Sequence, residues 1–321
     1  MYAVVFSLLL ISAFTFTLLD TFVIPKAVQP VSQNGTQQAP YMTGQTPGSN
    51  GVSSPNQFGD ALSQDEYMAV ENDVKEKDKS NPIITADSYT DENISITIET
   101  VRLYDTEVYI ADIRISSIEY LKAAFAQNTY GRNINEYTSV IAKEQNAIFA
   151  INGDYYGFRN EGWVLRNGVL YRSGGRIDVL LMDMEGNFSC NSDQDAIEKQ
   201  APNLWQIWSF GPPLVVDGFI AVTENQEISG RSANSNPRTA IGQAGELHYI
   251  FIVSDGRTGE SSGLSLYELA SLFEERGCTV AYNLDGGGSS TMYFNGQVIN
   301  QPTTRRTIKE REISDIVYIG Y

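Results

Sequence analysis

The chain has 321 residues, with 22 Lys and Arg against 39 Asp and Glu and a formal net charge of −17. That balance excludes a nucleic-acid binder, which needs a basic stripe to neutralise phosphates, but leaves a small phosphorylated substrate open. Its two cysteines, Cys190 and Cys278, lack C-x-x-C spacing and exclude a cysteine-built zinc site; they are expected either as one disulfide or as two buried thiols.

From Tyr2 to Leu19 the sequence is almost uninterruptedly apolar, a length that can cross a bilayer. No Lys or Arg precedes this run and no small-x-small site follows it, which separates it from a cleaved secretory signal. Residues 1–24 are therefore expected to form a membrane anchor or signal-like segment, with the rest of the chain on the extracytoplasmic side of a single-pass cell-membrane protein. Residues 25–80 read as a polar linker. Ala27 to about Gly59 is built of Gln, Asn, Ser, Thr, Gly and Pro, too poor in apolar surface to fold. Asp60 to Ser80 is either a charged helix around Ala61, Leu62, Met68 and Val70 or unstructured. Residues 81–321 have the size and patterning of one domain with its own core.

Within that domain, Ile94–Val101 and Val108–Ile115 alternate apolar and polar residues and predict strands. Ser116-Ser117-Ile118-Glu119 has the form of a capping box and predicts a helix through Tyr120, Leu121, Ala124 and Phe125; a second helix is expected near Asn133, with Glu136 three positions on. Ala147–Ile151 is a short buried strand ending at Asn152-Gly153-Asp154-Tyr155-Tyr156-Gly157. Hairpins are expected around Gly162–Tyr171 and Ile177–Met184, turning at Arg166-Asn167-Gly168 and Glu185-Gly186-Asn187. Leu247–Ser254 is a further strand. Ser265-Leu266-Tyr267-Glu268 then opens a helix with Leu264 and Leu269 as its hydrophobic staple, ending at Gly277. The crossover from there to Thr279–Leu284 implies a parallel pair, and Asn295-Gly296 closes an antiparallel hairpin. The expected class is α+β, a mixed β-sheet with a few covering helices.

Tyr282 to Met292 carries the strongest signal of a site. An apolar strand runs into Asp285, then Gly286, Gly287 and Gly288, then Ser289, Ser290 and Thr291. Three ordered glycines cost backbone freedom, and such a turn can bring the chain close to a ligand or aim successive N–H groups at an anion. The alternative is a strand-turn-strand corner with ordinary polar decoration. Three other segments also place polar residues at strand ends: Asn152-Gly153-Asp154, Asn236-Pro237-Arg238-Thr239-Ala240-Ile241-Gly242, and Ser254-Asp255-Gly256-Arg257.

In order and together, the NGDYY, NPRTAIG and DGGGSSTM segments, with Arg311-Glu312-Ile313-Ser314-Asp315 near the end, resemble the phosphodiester glycosidase family over roughly Ser116 to Tyr321. That family includes an animal lysosomal enzyme and bacterial relatives labelled exopolysaccharide biosynthesis proteins. One departure stands out: Asp154, Tyr155 and Tyr156 occupy positions where relatives usually have a second glycine and paired phenylalanines. The added carboxylate either alters the leaving group accepted or hydrogen-bonds to its own turn.

The resemblance implies hydrolysis of a sugar from a glycosyl-1-phosphodiester, on a phosphorylated sugar or a cell-surface polysaccharide. A carboxylate would stabilise the oxocarbenium-like centre, and Asp285 is the first candidate. A forked guanidinium would bind two phosphate oxygens, which suits Arg238 with Thr239 beside it. Asp255 and Asp154 are further acid/base candidates, each also readable as a turn carboxylate. Asn152, Gly153, Gly286, Gly287, Gly288, Ser289 and Ser290 are candidate substrate contacts, with Arg311 and Glu312 behind them. Tyr155, Tyr156, Trp163 and Phe210 are read either as a sugar-stacking wall or as core. His248, the single histidine, lies inside a strand, which argues against a Ser-His triad. No cofactor is assigned. Asp154, Asp255 and Asp285 are the carboxylates that would gather around Ca²⁺ or Mg²⁺, although EF-hand spacing is lacking. The rival function is a non-catalytic glycan-binding or polysaccharide-assembly module of the same fold.

Overall fold

The computed structural model describes residues 2–31, 81–175, 178–225 and 235–321. Most of the expected linker, including Asp60–Ser80, lies outside them. Helix α1 (Tyr2–Phe22) exposes Phe6, Leu9 and Phe14 among its apolar side chains. Among the described residues no helix is long and apolar enough to cross a membrane, so the expected anchor is not found there. Just after α1 the chain engages the domain: Lys26–Ala27 pairs with Gly131–Arg132, and Val28 N–H donates to Tyr130 O at 2.9 Å.

The strands that position the site are β1 (Ile94–Leu103), β2 (Thr106–Ile115), β3 (Leu121–Phe125), β4 (Phe149–Asn152), β5 (Val164–Arg166), β6 (Leu204–Trp208), β7 (Arg238–Gly245), β8 (His248–Ser254), β9 (Val280–Asn283), β10 (Met292–Phe294) and β11 (Asp315–Ile319). Two further helices are α2 (Thr138–Glu144) and α3 (Leu266–Glu275). One large sheet has β9-β7-β8-β2-β1 as its centre, and a second carries β10-β4-β11-β3; a third, smaller sheet contains β5 and β6.

Period-two alternation decides the layering. On the large sheet Ile96, Ala111, Ile113, Phe251, Val253 and Tyr282 face one way and meet Leu121, Phe149, Ile151, Met292, Val317 and Ile319 of the second sheet. Their neighbours Ile110, Ala240, Ile250, Ile252 and Ala281 face the other way, under Leu266, Leu269, Ala270 and Phe273 of α3. The second sheet likewise packs Ala150, Ile316 and Tyr318 against Ile141 and Ala142 of α2. The result is helix on sheet on sheet on helix, mostly β. Each fully buried aliphatic or aromatic side chain in these layers contributes roughly 1.5–3 kcal/mol.

Several sequence expectations hold. The Ser265–Glu268 capping box opens α3, with Ser265 Oγ accepting from Glu268 N–H at 3.1 Å and Glu268 accepting in return from Ser265 N–H at 2.8 Å. Both cysteines are free thiols, whose burial pushes each up to about 12. His248 is a strand residue bonded through Nε2 to Asp112 at 3.0 Å.

Three expectations fail. The Ser116–Glu119 box does not form: Ser117 caps a 3-10 turn, Ile118–Tyr120, the Ser116 hydroxyl donates to Asn93, and Leu121–Phe125 is strand β3, because its alternate residues complete the second sheet against β11. The helix expected near Asn133 begins only at Thr138, since Asn133 sits in the left-handed region at φ 58° and Glu136 bridges Ile313. The sheet is not mixed: every strand pairing among the described residues is antiparallel. β8 and β9 do run parallel across the α3 crossover, but β7 lies between them, antiparallel to both.

Candidate active site

Four of the polar segments and β11 converge because their strands end at one edge. The register sets Asn152 of β4 opposite Ile316 of β11, Arg238 of β7 opposite Ser254 of β8, and Ala240 opposite Asn283 of β9. The glycine turn after β9 therefore stands beside Asn152, Arg238 and Asp315.

Asp285 is the centre of this cluster. Its Oδ1 accepts from Gly286 N–H at 2.9 Å, its Oδ2 accepts from the Ser289 hydroxyl at 2.5 Å, and Arg311 Nη2 donates to that same Oδ2 and to Ser289 Oγ. Burial pushes the Asp285 carboxyl above its ordinary range, against the lowering pull of Arg311, Ser289 and the Gly286 N–H. The side chain keeps 11% exposure and the Arg311 side chain 36%, so the pair lies at the surface of the site. Tyr155 lies 5.9 Å from the Arg311 guanidinium and stacks on Phe158 at 4.5 Å.

The glycines make this turn possible by close approach. A Cβ on Gly286 would lie 2.9 Å from Pro237 O, and one on Gly288 would lie 2.8 Å from Thr304 Oγ1. The N–H groups do not form the expected anion nest. Gly286 N–H is on Asp285, Gly287 N–H donates to Pro237 O at 2.8 Å, and Ser289 and Ser290 N–H close the turn onto Gly286 and Gly287 carbonyls.

Several expected substrate contacts turn out to be internal. Asn152 is fully buried: its Nδ2 donates to Asp285 O at 2.6 Å, while its Oδ1 accepts from the Thr239 hydroxyl at 2.8 Å and Thr291 N–H at 3.2 Å. Asn152 and Thr239 thus brace the Asp285 backbone rather than face a ligand. Gly153 leaves room for Asp315, whose Oδ1 would lie 2.4 Å from a Cβ there. The hydroxyls of Ser290 and Thr291 are buried and without a hydrogen-bond partner among the described residues.

Asp154 does not open into the site. It ion-pairs with Arg166 Nη2 at 2.9 Å and accepts from Ser209 N–H at 2.9 Å and Tyr156 N–H at 3.0 Å. The same Arg166 guanidinium pairs with Asp315 at 2.8 Å. All three side chains are enclosed, and two carboxylates share one cation. Burial pushes Asp315 up to about 8, against the lowering effect of Arg166 and with the negative charge of Asp154 adding to the rise. Neither Arg166 nor this role for Asp315 was singled out by the sequence. The available signal was an arginine ending the apolar run Trp163-Val164-Leu165.

Asp255 is also turned inward, accepting from Asn300 Nδ2 at 3.1 Å and Gln301 N–H at 2.8 Å; burial raises its pKa, with these bonds opposing. Arg238 is 6% exposed and donates from Nε to Leu264 O at 2.9 Å. Burial, with the nearby Arg257 charge adding to it, lowers the Arg238 guanidinium to about 10. The carboxylates therefore do not assemble into a metal centre: among the described residues no three His, Cys, Asp or Glu side chains converge to hold an ion. The aromatic wall is divided, with Trp163 and Tyr156 in the core and Tyr155 and Phe210 partly exposed, the latter 4.6 Å from the Arg159 guanidinium.

A sequence profile described as phosphodiester glycosidase matches residues 145–320, more than half of the chain and all of the site. The chain belongs to the phosphodiester glycosidase family. Among relatives of this chain, the SPbeta prophage-derived uncharacterized protein YomE of Bacillus subtilis is 32% identical over 206 residues, covering 60% of this chain and 31% of that one. The N-acetylglucosamine-1-phosphodiester alpha-N-acetylglucosaminidase of mouse is 38% identical over 101 residues, 28% of this chain and 19% of the mouse protein; the human enzyme is 38% identical over 123 residues, 35% and 24%. The chain thus spans a third or less of the length of these relatives. The fold also matches solved structures. The zebrafish catalytic domain of the same enzyme, auto-inhibited by its pro-peptide, aligns with a TM-score of 0.57 at 20% identity, over 71% of this chain and 83% of that one. A hypothetical protein from Synechocystis aligns with a TM-score of 0.52 at 14% identity, over 71% and 62%.

Proposed function

We propose that the domain hydrolyses glycosyl-1-phosphodiesters, releasing the sugar and leaving a phosphomonoester. The observation that carries this reading is the Asp285 carboxylate, held by Ser289 and by the partly exposed Arg311 at the glycine turn. Ordinary glycosidases use two carboxyl groups, one of them to protonate the leaving oxygen. Here Asp154, Asp255 and Asp315 are enclosed, so Asp285 is the carboxylate that can meet an anomeric carbon. That is sufficient for this substrate class, because a phosphodiester leaves as a weak base and needs charge neutralisation more than a proton. Arg311 favours the charged form of Asp285 against the opposing effect of burial, and Arg238 adds positive potential beneath the turn. An anion brought there gains from a guanidinium whose charge is poorly solvated.

The proposed setting is extracytoplasmic, on phosphorylated cell-surface or environmental polysaccharide, with the apolar Tyr2–Phe22 helix as the attachment to the membrane. The exposed apolar side chains of that helix support this reading; protease treatment of intact cells should remove the domain, and full protection would argue against the topology. The activity itself is tested by incubating the purified protein with UDP-N-acetylglucosamine, a soluble glycosyl diphosphate with a similarly weakly basic leaving group, and with a panel of sugar phosphodiesters. Release of free sugar that disappears in Asp285→Asn is the expected result. Absence of turnover on every diester, with binding retained, would instead favour the glycan-binding module.

A further inference from the structure

Beside Arg238, Arg257 also borders the glycine turn, although it followed the strand-end motif in sequence without a role. Arg257 is exposed, and a Cβ on Gly287 would lie 2.8 Å from its Nη2, 3.1 Å from its Nη1 and 3.2 Å from its Cζ. The near-equal approaches mean that the guanidinium lies against the Gly287 backbone. On the next residue, a Cβ at Gly288 would lie 3.4 Å from Arg311 Cδ. Successive Cα atoms are about 3.8 Å apart, so two arginines from distant parts of the chain flank one turn. One of them, Arg311, belongs to the Asp285 cluster.

Three further observations show that the Arg257 position is built. Its Nε and Nη2 both donate to Asn236 Oδ1, at 3.1 and 3.0 Å, which fixes the plane of the guanidinium. Its backbone is in the left-handed region at φ 63°, a conformation unfavourable for a residue with a side chain. Its charge is also felt by the buried Arg238, so two cations are held close enough to repel. In a chain of net charge −17, several guanidiniums gathered at one turn favour an anion there.

We propose that Arg257 is a phosphate-binding residue, forming with Arg311 a clamp across Gly287 and Gly288 that receives the phosphodiester anion. The assignment rests on the glycosidase reading only for the identity of the group attached to that phosphate. A diester presents two non-bridging oxygens sharing one negative charge, a pattern that planar guanidiniums recognise through paired N–H donors.

Dimethyl phosphate, a diester without a sugar, is titrated calorimetrically into the full chain, into Arg257→Gln and Arg257→Lys, and into Arg114→Gln, which changes an exposed arginine elsewhere. Circular dichroism checks that each variant is folded. Wild type and Arg114→Gln are expected to bind alike, Arg257→Gln to lose at least tenfold in affinity, and Arg257→Lys to fall between. Wild-type affinity in Arg257→Gln, or no binding by the wild type, overturns the clamp. Hydrolysis of UDP-N-acetylglucosamine is followed in parallel so that the two ideas fail separately. Diester binding that depends on Arg257 without hydrolysis upholds the clamp and removes the glycosidase; hydrolysis with an unchanged KM in Arg257→Gln does the reverse.

Discussion

The Asn152 side chain donates to the main-chain carbonyl of Asp285 at 2.6 Å, joining the last residue of β4 to the second residue beyond β9. The same amide accepts from Thr239 and from Thr291 N–H, so one fully buried side chain fixes three segments of the site. Asp285 is thereby held from both ends, by Asn152 through its backbone and by Ser289 and Arg311 through its carboxylate.

Replacing Asn152 by Ala should therefore destabilise the domain and disorder Asp285 together. Each buried partner left unpaired costs about 1–3 kcal/mol. Urea denaturation should show the loss, and a midpoint equal to that of the wild type would mean that water replaces the amide without penalty.

Asp285→Asn and Arg238→Ala should act on different parts of the reaction. The first removes negative charge needed mostly in the transition state, so kcat should fall by about a hundredfold or more with little change in KM. The second removes a buried cation and the donor to Leu264 O, so KM should rise and stability should fall with it. Steady-state kinetics on folded variants separate the two, and near-normal kcat/KM in Asp285→Asn would place the catalytic centre elsewhere.

Arg166→Met should be far more harmful than its distance from solvent-facing chemistry suggests. It leaves Asp154 and Asp315 buried together without their cation, a loss of about 3–5 kcal/mol for a broken buried pair. Adding Asp154→Asn and Asp315→Asn to that variant should recover part of the stability, measured by thermal unfolding. Failure of the triple variant to improve on Arg166→Met would show that the guanidinium's bonds to backbone carbonyls matter more than the charges.

Asp315 gives the fold a defined pH dependence. Its folded pKa is raised to about 8, whereas an unfolded aspartate titrates near 3.8. Between these values the unfolded chain has released a proton that the folded protein keeps, so rising pH favours unfolding. This contribution to stability is fully present below the unfolded value, declines through the interval and is lost above about 8. Asp315→Asn removes it, so the variant should gain on the wild type as pH is raised across that window. Parallel denaturation curves that keep a constant separation would contradict the assignment.

The sequence was most readable where the signal is local. The Ser265–Glu268 box, the Asn295-Gly296 turn and the alternation in β1 and β2 each depend on residues a few positions apart, and each is realised. The four polar strand ends were recognisable as sites because glycines and carboxylates seldom interrupt apolar runs without cause. What sequence could not supply is the partner of each charge. Asp154 looks like a reactive carboxylate until Arg166, on β5, is folded over it, and Asn152 looks like a sugar ligand until Thr239 and Asp285 take its amide. The capping signal at Ser116–Glu119 was overridden for a similar reason. A few tenths of a kilocalorie of helix preference cannot compete with the burial of Leu121 and Ala123 beside β11.

The position of β11 has a consequence for how the molecule is made. This strand, Asp315–Ile319, is sandwiched between β3 and β4, which come from the first half of the chain. During synthesis those two strands leave the ribosome long before the one that joins them, and each waits with an unsatisfied edge that invites aggregation. The second sheet, with Asp315 and the Asn152 edge of the site, can close only after translation has reached the end of β11. Nascent or truncated chains lacking that strand should thus depend on chaperones and show no partial activity.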